Sequence, residues 1–372
     1  MSYGRMRKIV RAFAFLEINM ATFCLLKDPD NYKATDWDLL ADEEARAQWL
    51  DSFAEQFKVT IKAASARHGV VASERVRDAR GQMKKVVKML KASPESIPGG
   101  VLTIKELCRL REMALTDYEL SDPFLDVKQR EGEAADKLYS KMVTDIGKLE
   151  GSEKWLRLIK GVFAGNLFDV GSTATMSSAD TPTDFTAGLK NVKDRPWFVD
   201  DFDAFFEEVE DGAPYKWRKA IVFVDNAGPD FILGLMPLLK ELATGGTAIM
   251  LAANERPSLN DLSMDETLMC LENLTMIDMD LGMLLNESKF DAVPTGCDLP
   301  LLDLANVSDD LNAAAGDADL IIIDGVDRAV QTNFDAEFTV DVLRLAQITN
   351  ELVAKRVGAE LYDCVCKYTP AG

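Results

Sequence analysis

The residues of this chain best suited to chemistry are carboxylates and carboxamides gathered in four short segments. Asp225 and Asn226 follow the apolar run 220–224. Asn254, Glu255 and Asp261 lie in the loop after a second apolar run, 247–252. Asp324 closes the run in ADLIIIDGVDR (318–328), and Asn166 and Asp169 stand in GVFAGNLFDVGS (161–172). Oxygen donors of this kind, without histidine or thiolate beside them, suit a hard divalent cation. The competing source of such residues is ordinary turn and capping chemistry, which also favours Asp, Asn and Gly. By that reading Asn166 and Asp169 form a helix-end hydrogen-bond network, and Asp324 serves its own turn.

Two of these segments are joined by one predicted unit. The β-branched run 220–224 reads as a strand, Gly228 and Pro229 open a helix, and Gly245–Gly246 stop it before a second strand. A crossover of that length implies parallel strands whose carboxyl ends share one sheet edge. Asp225 and the loop 254–261 then face one crevice, where open α/β sheets bind ligands. The amino end of the intervening helix offers N–H groups to an anion there.

The chain has 372 residues, 47% of them hydrophobic, which is enough for a large core and two subdomains. Its 42 basic and 62 acidic residues give a formal charge of −20, which disfavours nucleic acid and anionic membrane surfaces as partners. The basic stretch 75–91 reads as a solvated helix face above an apolar one carrying Val76, Met83, Val87 and Leu90. No apolar run is long enough to span a bilayer. The first 26 residues imitate a signal peptide, but Glu17 and Asn19 interrupt the apolar stretch, and an extra helix or an uncertain start is expected instead. The single histidine, His68, excludes His-rich zinc sites and receives no role. Six cysteines without CxxC spacing point to a reducing, cytoplasmic compartment.

The fold class expected is α/β: a helical N-terminal subdomain over 1–172, a polar connector or lid over 173–194, and a Rossmann-like, mostly parallel sheet flanked by helices over 195–372. Trp49, Phe53, Phe57 and Ile61 mark one helix, and others are expected near 102–118 and 124–148. Strands are expected at 220–224, 247–252, 289–294, 318–323 and 361–368. Val342, Leu345, Ile348 and Leu352 place a helix between the last two. Neither a dinucleotide fingerprint nor a Walker loop is present.

With these segments in place, the chain resembles the metal-dependent damage-control phosphatases, the family of domain of unknown function 89. The likeness is greatest to the branch of stand-alone plant-type proteins and the carboxy-terminal domain of the pantothenate kinase 4 type. It runs from about residue 20 to the end through CRLREMAL (108–115), GVFAGNLFDVGS (161–172), RPWFVDDF (195–202), VFVDNAGPDFILG (222–234), LAANERPSLND (251–261), CDLPLLDL (297–304) and ELYDCVCKY (360–368). The resemblance implies a cation held by Asp225, Asn226 and Asp261, selecting Asp261 from a loop that the bare pattern left open. The cation is expected to be Mg²⁺ or Mn²⁺, with Co²⁺ or Ni²⁺ as replacements. Asp225 and Asp261 become the catalytic candidates, with Asn166, Asp169, Asn254, Glu255, Asp324, Gly325 and Arg328 as substrate contacts. Arg109, Arg111 and Glu112 either orient substrate or pair across the subdomains.

One segment departs from that branch. Where it carries Glu-Gly-Met-Gly-Arg, this chain has Asp324-Gly325-Val326-Asp327-Arg328, keeping only Gly325 and Arg328. Asp327 adds charge where a phosphate is expected. The implied activity is hydrolysis of a small phosphorylated metabolite, 4′-phosphopantetheine or its oxidised, damaged forms. The alternatives are a sugar-phosphate phosphatase of the same family, a metal-binding but non-catalytic homologue, and, from another class, a carboxyl methyltransferase, for which no glycine-rich cofactor loop is present.

Overall fold

The computed structural model describes residues 20–97, 99–172, 174–176 and 184–372. Among these residues seven strands form one sheet: β1 (Val199–Asp200), β2 (Lys219–Phe223), β3 (Ala248–Ala253), β4 (Phe290–Pro294), β5 (Leu320–Asp324), β6 (Asp341–Gln347) and β7 (Cys364–Thr369), in the order β1-β7-β6-β5-β2-β3-β4. All neighbours are parallel except β6 and β7. Val222 stands opposite Leu251 of β3 and Ile322 of β5, so these three central strands end in register. Asp225, Asn254 and Asp324 therefore open on a single edge.

The sheet is covered on both faces, and the period-2 alternation of β2 shows how. Ile221 and Phe223 join an apolar cluster with Phe23, Trp49 and Leu107 from the helical half. Ala220, Val222 and Val224 join the opposite cluster, with Ile159 and Phe163 of helix Gly151–Gly165 and Leu235 and Leu239 of the crossover. Burying each such large side chain stabilises the fold by about 1.5–3 kcal/mol. The crossover starts at Asp230, right after Pro229, as a π-helical stretch Asp230–Leu235 and continues as helix Met236–Thr244.

Most predicted helices form where their apolar spacing placed them. Trp49, Phe53, Phe57 and Ile61 are buried along Glu43–His68, capped by Asp42, which accepts the Ala45 N–H at 2.9 Å. Helix Ser73–Ala92 buries Met83, Val87 and Leu90 beneath its basic face. Helices Ile104–Asp117 and Leu125–Ile146 complete the series. Among the described residues, no helix is long and apolar enough to cross a membrane.

One reading is corrected, and two others gain local detail. Residues 342–348 are not helical: Asp341–Gln347 is strand β6, and only the short helix Glu351–Val357 follows. All seven residues of β6 are buried, so both faces are covered and its apolar positions lose the alternation that marks a strand. Within the connector, residues 185–191 form the helix Phe185–Asn191, capped by Asp184 and burying Phe185 and Gly188. The remainder of the proposed lid lies partly outside the described residues. So does most of the amino-terminal stretch. From Met20 onward the chain runs through turns, and Ala21 and Leu26 bridge to Val307 and Phe338 of the sheet half.

Glu131, on helix Leu125–Ile146, lies against Gly228 in the loop that follows β2. It is buried, its Oε1 has no hydrogen-bond partner among the described residues, and Arg130 approaches to 3.8 Å. Burial pushes its carboxyl from an ordinary 4.5 up to about 7, with Arg130 opposing weakly. Below pH 4.5 both folded and unfolded chains hold this proton. Between 4.5 and about 7 only the folded chain does, so stability falls as pH rises through that window and stays lowered above it. Glu131→Gln is expected to be more stable than the parent by roughly 2–3 kcal/mol at pH 8, with the difference vanishing near pH 4. Urea unfolding at the two pH values measures this, and an equal difference at both contradicts it.

Candidate active site

The centre of the site is the guanidinium of Arg328. Its Nη1 donates to Asp225 Oδ1 at very short range, and its Nη2 donates to Asp261 Oδ2 at 2.9 Å and, more weakly, to Asn254 Oδ1 at 3.5 Å. All four residues are buried. Asp225 arrives from the end of β2, Asn254 from the end of β3, and Arg328 from the π-helical stretch Val326–Thr332 that follows β5. The loop 254–261 folds back so that Asp261 bridges Asn226 and the Leu262 N–H donates to Asp225 O at 3.0 Å. Asn254 Nδ2 steadies Asp261 Oδ2 at 3.3 Å.

A second layer reaches the same cluster from the helical half. Asn166, at the end of helix Gly151–Gly165, donates from Nδ2 to Asp324 Oδ1 at 3.2 Å and to Asp230 Oδ1 at 3.3 Å. Its Oδ1 accepts the Gln347 N–H at 2.8 Å. The cross-sheet reach expected of Asn166 therefore exists. Asp169 is half-buried, and its Oδ1 accepts the Gly171 N–H at 2.6 Å. Glu255 does not join: it is exposed, and only its backbone N–H is engaged, on Cys297 O. Arg111 is fully buried and spans the two halves, donating to Glu112 at 2.8 Å, Gln56 at 2.7 Å and Ser258 at 3.3 Å.

Two residues that organise the site lacked a recognisable pattern. Asp230 is wholly buried and accepts both the backbone N–H and the Nδ2 of Asn226, at 3.3 and 3.0 Å. Its only signal was its place right after Gly228–Pro229. Asn260 accepts the Val170 N–H at 3.2 Å and donates to Phe168 O at 2.7 Å, clamping the Asp169 turn to the Asp261 loop. The helix amino end expected to hold an anion is partly spent: Asn226 N–H is taken by Asp230, and Ala227 N–H by Asn260 O.

The electrostatics are those of an acid-rich, dry cluster. Burial raises the Asp230 carboxyl to about 7. Burial and then the charge of Asp230 hold Asp324 well above the usual range, and burial followed by Asp169 and Asp327 does the same for Asp261. Asp327 is pushed up to about 7 by burial and by Asp169, with Arg111 opposing. Burial pulls Arg328 down to about 10, so it remains charged at neutral pH. Six carboxyl groups face two guanidinium groups here, and the shortage of positive charge favours a further cation.

The donor set fits such a cation chemically. Asn226 gives its Nδ2 hydrogens to Asp225 Oδ2 at 2.8 Å and to Asp230, while its buried Oδ1 has no hydrogen-bond partner among the described residues. An orphaned amide oxygen between two carboxylates is suited to ligation. Among the described residues, no three His, Cys, Asp or Glu side chains converge as a ready metal cluster. The predicted set supplies two carboxylates and an amide, with Arg328 between the carboxylates.

The family model for the damage-control phosphatase ARMT1-like domain matches residues 43–365. The chain is 38% identical over 291 residues to a damage-control phosphatase of Arabidopsis thaliana, covering 76% of each protein. It is 32% identical to pantothenate kinase 2 of the same plant, covering 94% of this chain and 42% of that protein. To the 4′-phosphopantetheine phosphatase of Mus musculus it is 29% identical, covering 95% and 49%. The chain thus spans less than half the length of the last two relatives. Among solved structures, a DUF89 family protein from Pyrococcus horikoshii superposes with a TM-score of 0.58 at 18% identity, covering 87% of this chain and 98% of that one, and so shares the fold.

Gly325 is what lets Asp225 and the turn after β5 approach. Its φ is +89°, and a Cβ there would lie 2.1 Å from Asp225 Oδ2. Gly325→Ala is expected to destabilise the protein by about 2–4 kcal/mol, combining left-handed strain with the displaced carboxylate. Gly358 also has a positive φ, +79°, but among the described residues nothing lies within 4 Å of its Cβ position. Gly358→Ala should cost only about 1 kcal/mol, and equal losses in the two variants, measured by urea unfolding, would remove the contact argument.

Proposed function

On the premise that this chain belongs to the damage-control phosphatase ARMT1-like family, we propose that it is a divalent-metal-dependent phosphatase of a small phosphorylated metabolite, with 4′-phosphopantetheine or its damaged forms as the substrate. One observation carries the reading. Asp225 and Asp261 grip a common guanidinium beside an unpartnered Asn226 Oδ1, so three oxygen-bearing side chains from two segments converge at one point. The named relatives supply the substrate class, and six free cysteines agree with the cytoplasm as its location.

Asp225, Asn226 and Asp261 are the residues that would hold Mg²⁺ or Mn²⁺, and the bound ion would supply charge neutralisation and Lewis-acid polarisation of the phosphate. Arg328 carries a planar fork of donors matched to phosphate oxygens. When a phosphate enters, Arg328 exchanges carboxylate partners for phosphate oxygens and orients the group against Asp225. Asp225 serves as nucleophile or as base toward the attacking water. Asn166 and Asn254 fix the surrounding carboxylates, and the buried apolar walls limit access of bulk water. Asp327 explains how the altered turn tolerates a phosphate: with its carboxyl at about 7, it is neutral for much of the population at neutral pH. In this reading it would also return a proton to the leaving oxygen.

Two outcomes follow. Asp225→Asn and Asp261→Asn should each lower metal-stimulated hydrolysis of 4′-phosphopantetheine by about 10²–10⁴-fold, and a chelator should silence the parent. Full activity in both variants, or indifference to chelator, rejects the site. Since Asp327 loses its proton above about pH 7, kcat/KM of the parent is expected to decline through that pH while Asp327→Asn gives a flatter profile. Parallel profiles would show that Asp327 has no part in the reaction.

A further inference from the structure

Beside the carboxylate cluster runs a narrow slot between the helical half and the sheet, lined at one end by Asp327 and Arg111. Gln331 lines it too, four residues past Asp327 in the same helical stretch. Gln331 is only 4% exposed, yet among the described residues neither its Oε1 nor its Nε2 has a hydrogen-bond partner. Trp49, from helix Glu43–His68, lines the same slot, and its indole Nε1 is likewise buried without a partner. The other amides there are occupied: Gln56 donates to Gly171 O at 2.6 Å and accepts from Arg111, and Asn350 caps Leu352 and Val353.

A buried carboxamide with both ends unspent, lining the same slot as an unspent N–H donor, is rare in folded proteins. What it offers is the complement of a secondary amide: an acceptor for its N–H, and donors for its carbonyl. Apolar side chains such as Phe53 and Leu259 form the rest of the wall, as a chain of methylenes requires. We propose that this slot binds an amide-bearing arm of the substrate, with Gln331 and Trp49 determining specificity by reading one of its amide groups. The slot measures about 30 Å³, room for one or two waters, so its walls must part as the arm enters. The inference rests on the phosphatase reading for the identity of the ester, while the amide contact itself needs neither metal nor turnover.

The test is calorimetric titration of the metal-free full chain with pantetheine, which has two amides and no phosphate. The parent is expected to bind it, and Gln331→Leu and Trp49→Phe should each weaken binding tenfold or more while leaving inorganic phosphate binding, titrated separately with Mn²⁺ present, unchanged. Pantetheine N-methylated at its amides should bind the parent at least tenfold less well, a readout that holds even if a variant fails to fold. No binding of pantetheine by the parent, which would mean that the slot holds water only, overturns the proposal. So does equal affinity for the methylated probe, or a parallel loss of phosphate binding in both variants. Pantetheine binding without any metal-stimulated hydrolysis would retain the amide site and reject the phosphatase reading instead.

Discussion

The arrangement of this site depends on one buried guanidinium held between two buried carboxylates. Removing Arg328, Asp225 and Asp261 from water is costly, and their attraction offsets that cost only because the geometry is close and Asn254 adds further hydrogen bonds. The contribution to net stability is small, but its effect on register is large. The end of β2, the loop after β3 and the turn after β5 must all be in place before the charges are satisfied. Gly325 permits the approach, since any side chain there would collide with Asp225.

Around this centre, neutral amides do the joining. Asn166 ties the last long helix of the N-terminal half to Asp230, Asp324 and β6, and Asn260 ties the Asp169 turn to the Asp261 loop. Arg111 extends the same connection to Gln56 and Ser258. The helical half is therefore a wall of the site. One apolar cluster, from Phe23 and Trp49 to Ile321 and Ile323, joins it to the sheet behind the slot beside the carboxylates.

Much of the fold was legible because some segments follow a single rule. Strands β2, β3 and β5 are apolar and bounded by turn residues, and the 26-residue helix Glu43–His68 repeats its aromatic positions at four-residue steps. Strand β6 was not legible, since a strand buried on both faces keeps no alternation and its residues mimic helical spacing. Helix Phe185–Asn191 was hidden in a polar segment too short to show a period. Glu255 and Asp261 differ in the same way: both are acids in one loop, and only the path of that loop buries the second.

What the amino acids determined by themselves was local: apolar strands that end in oxygen-bearing side chains, a crossover that forces two of them parallel, and an ordered set of motifs shared with one family. Which of those oxygens meet was decided by tertiary structure, because convergence depends on strand order, loop path and the partner available to each charge. Arg328 lies about a hundred positions from Asp225 along the chain, and no local propensity encodes that meeting. It follows from the pairing of β5 with β2, which brings the turn after β5 to the carboxylate it must neutralise.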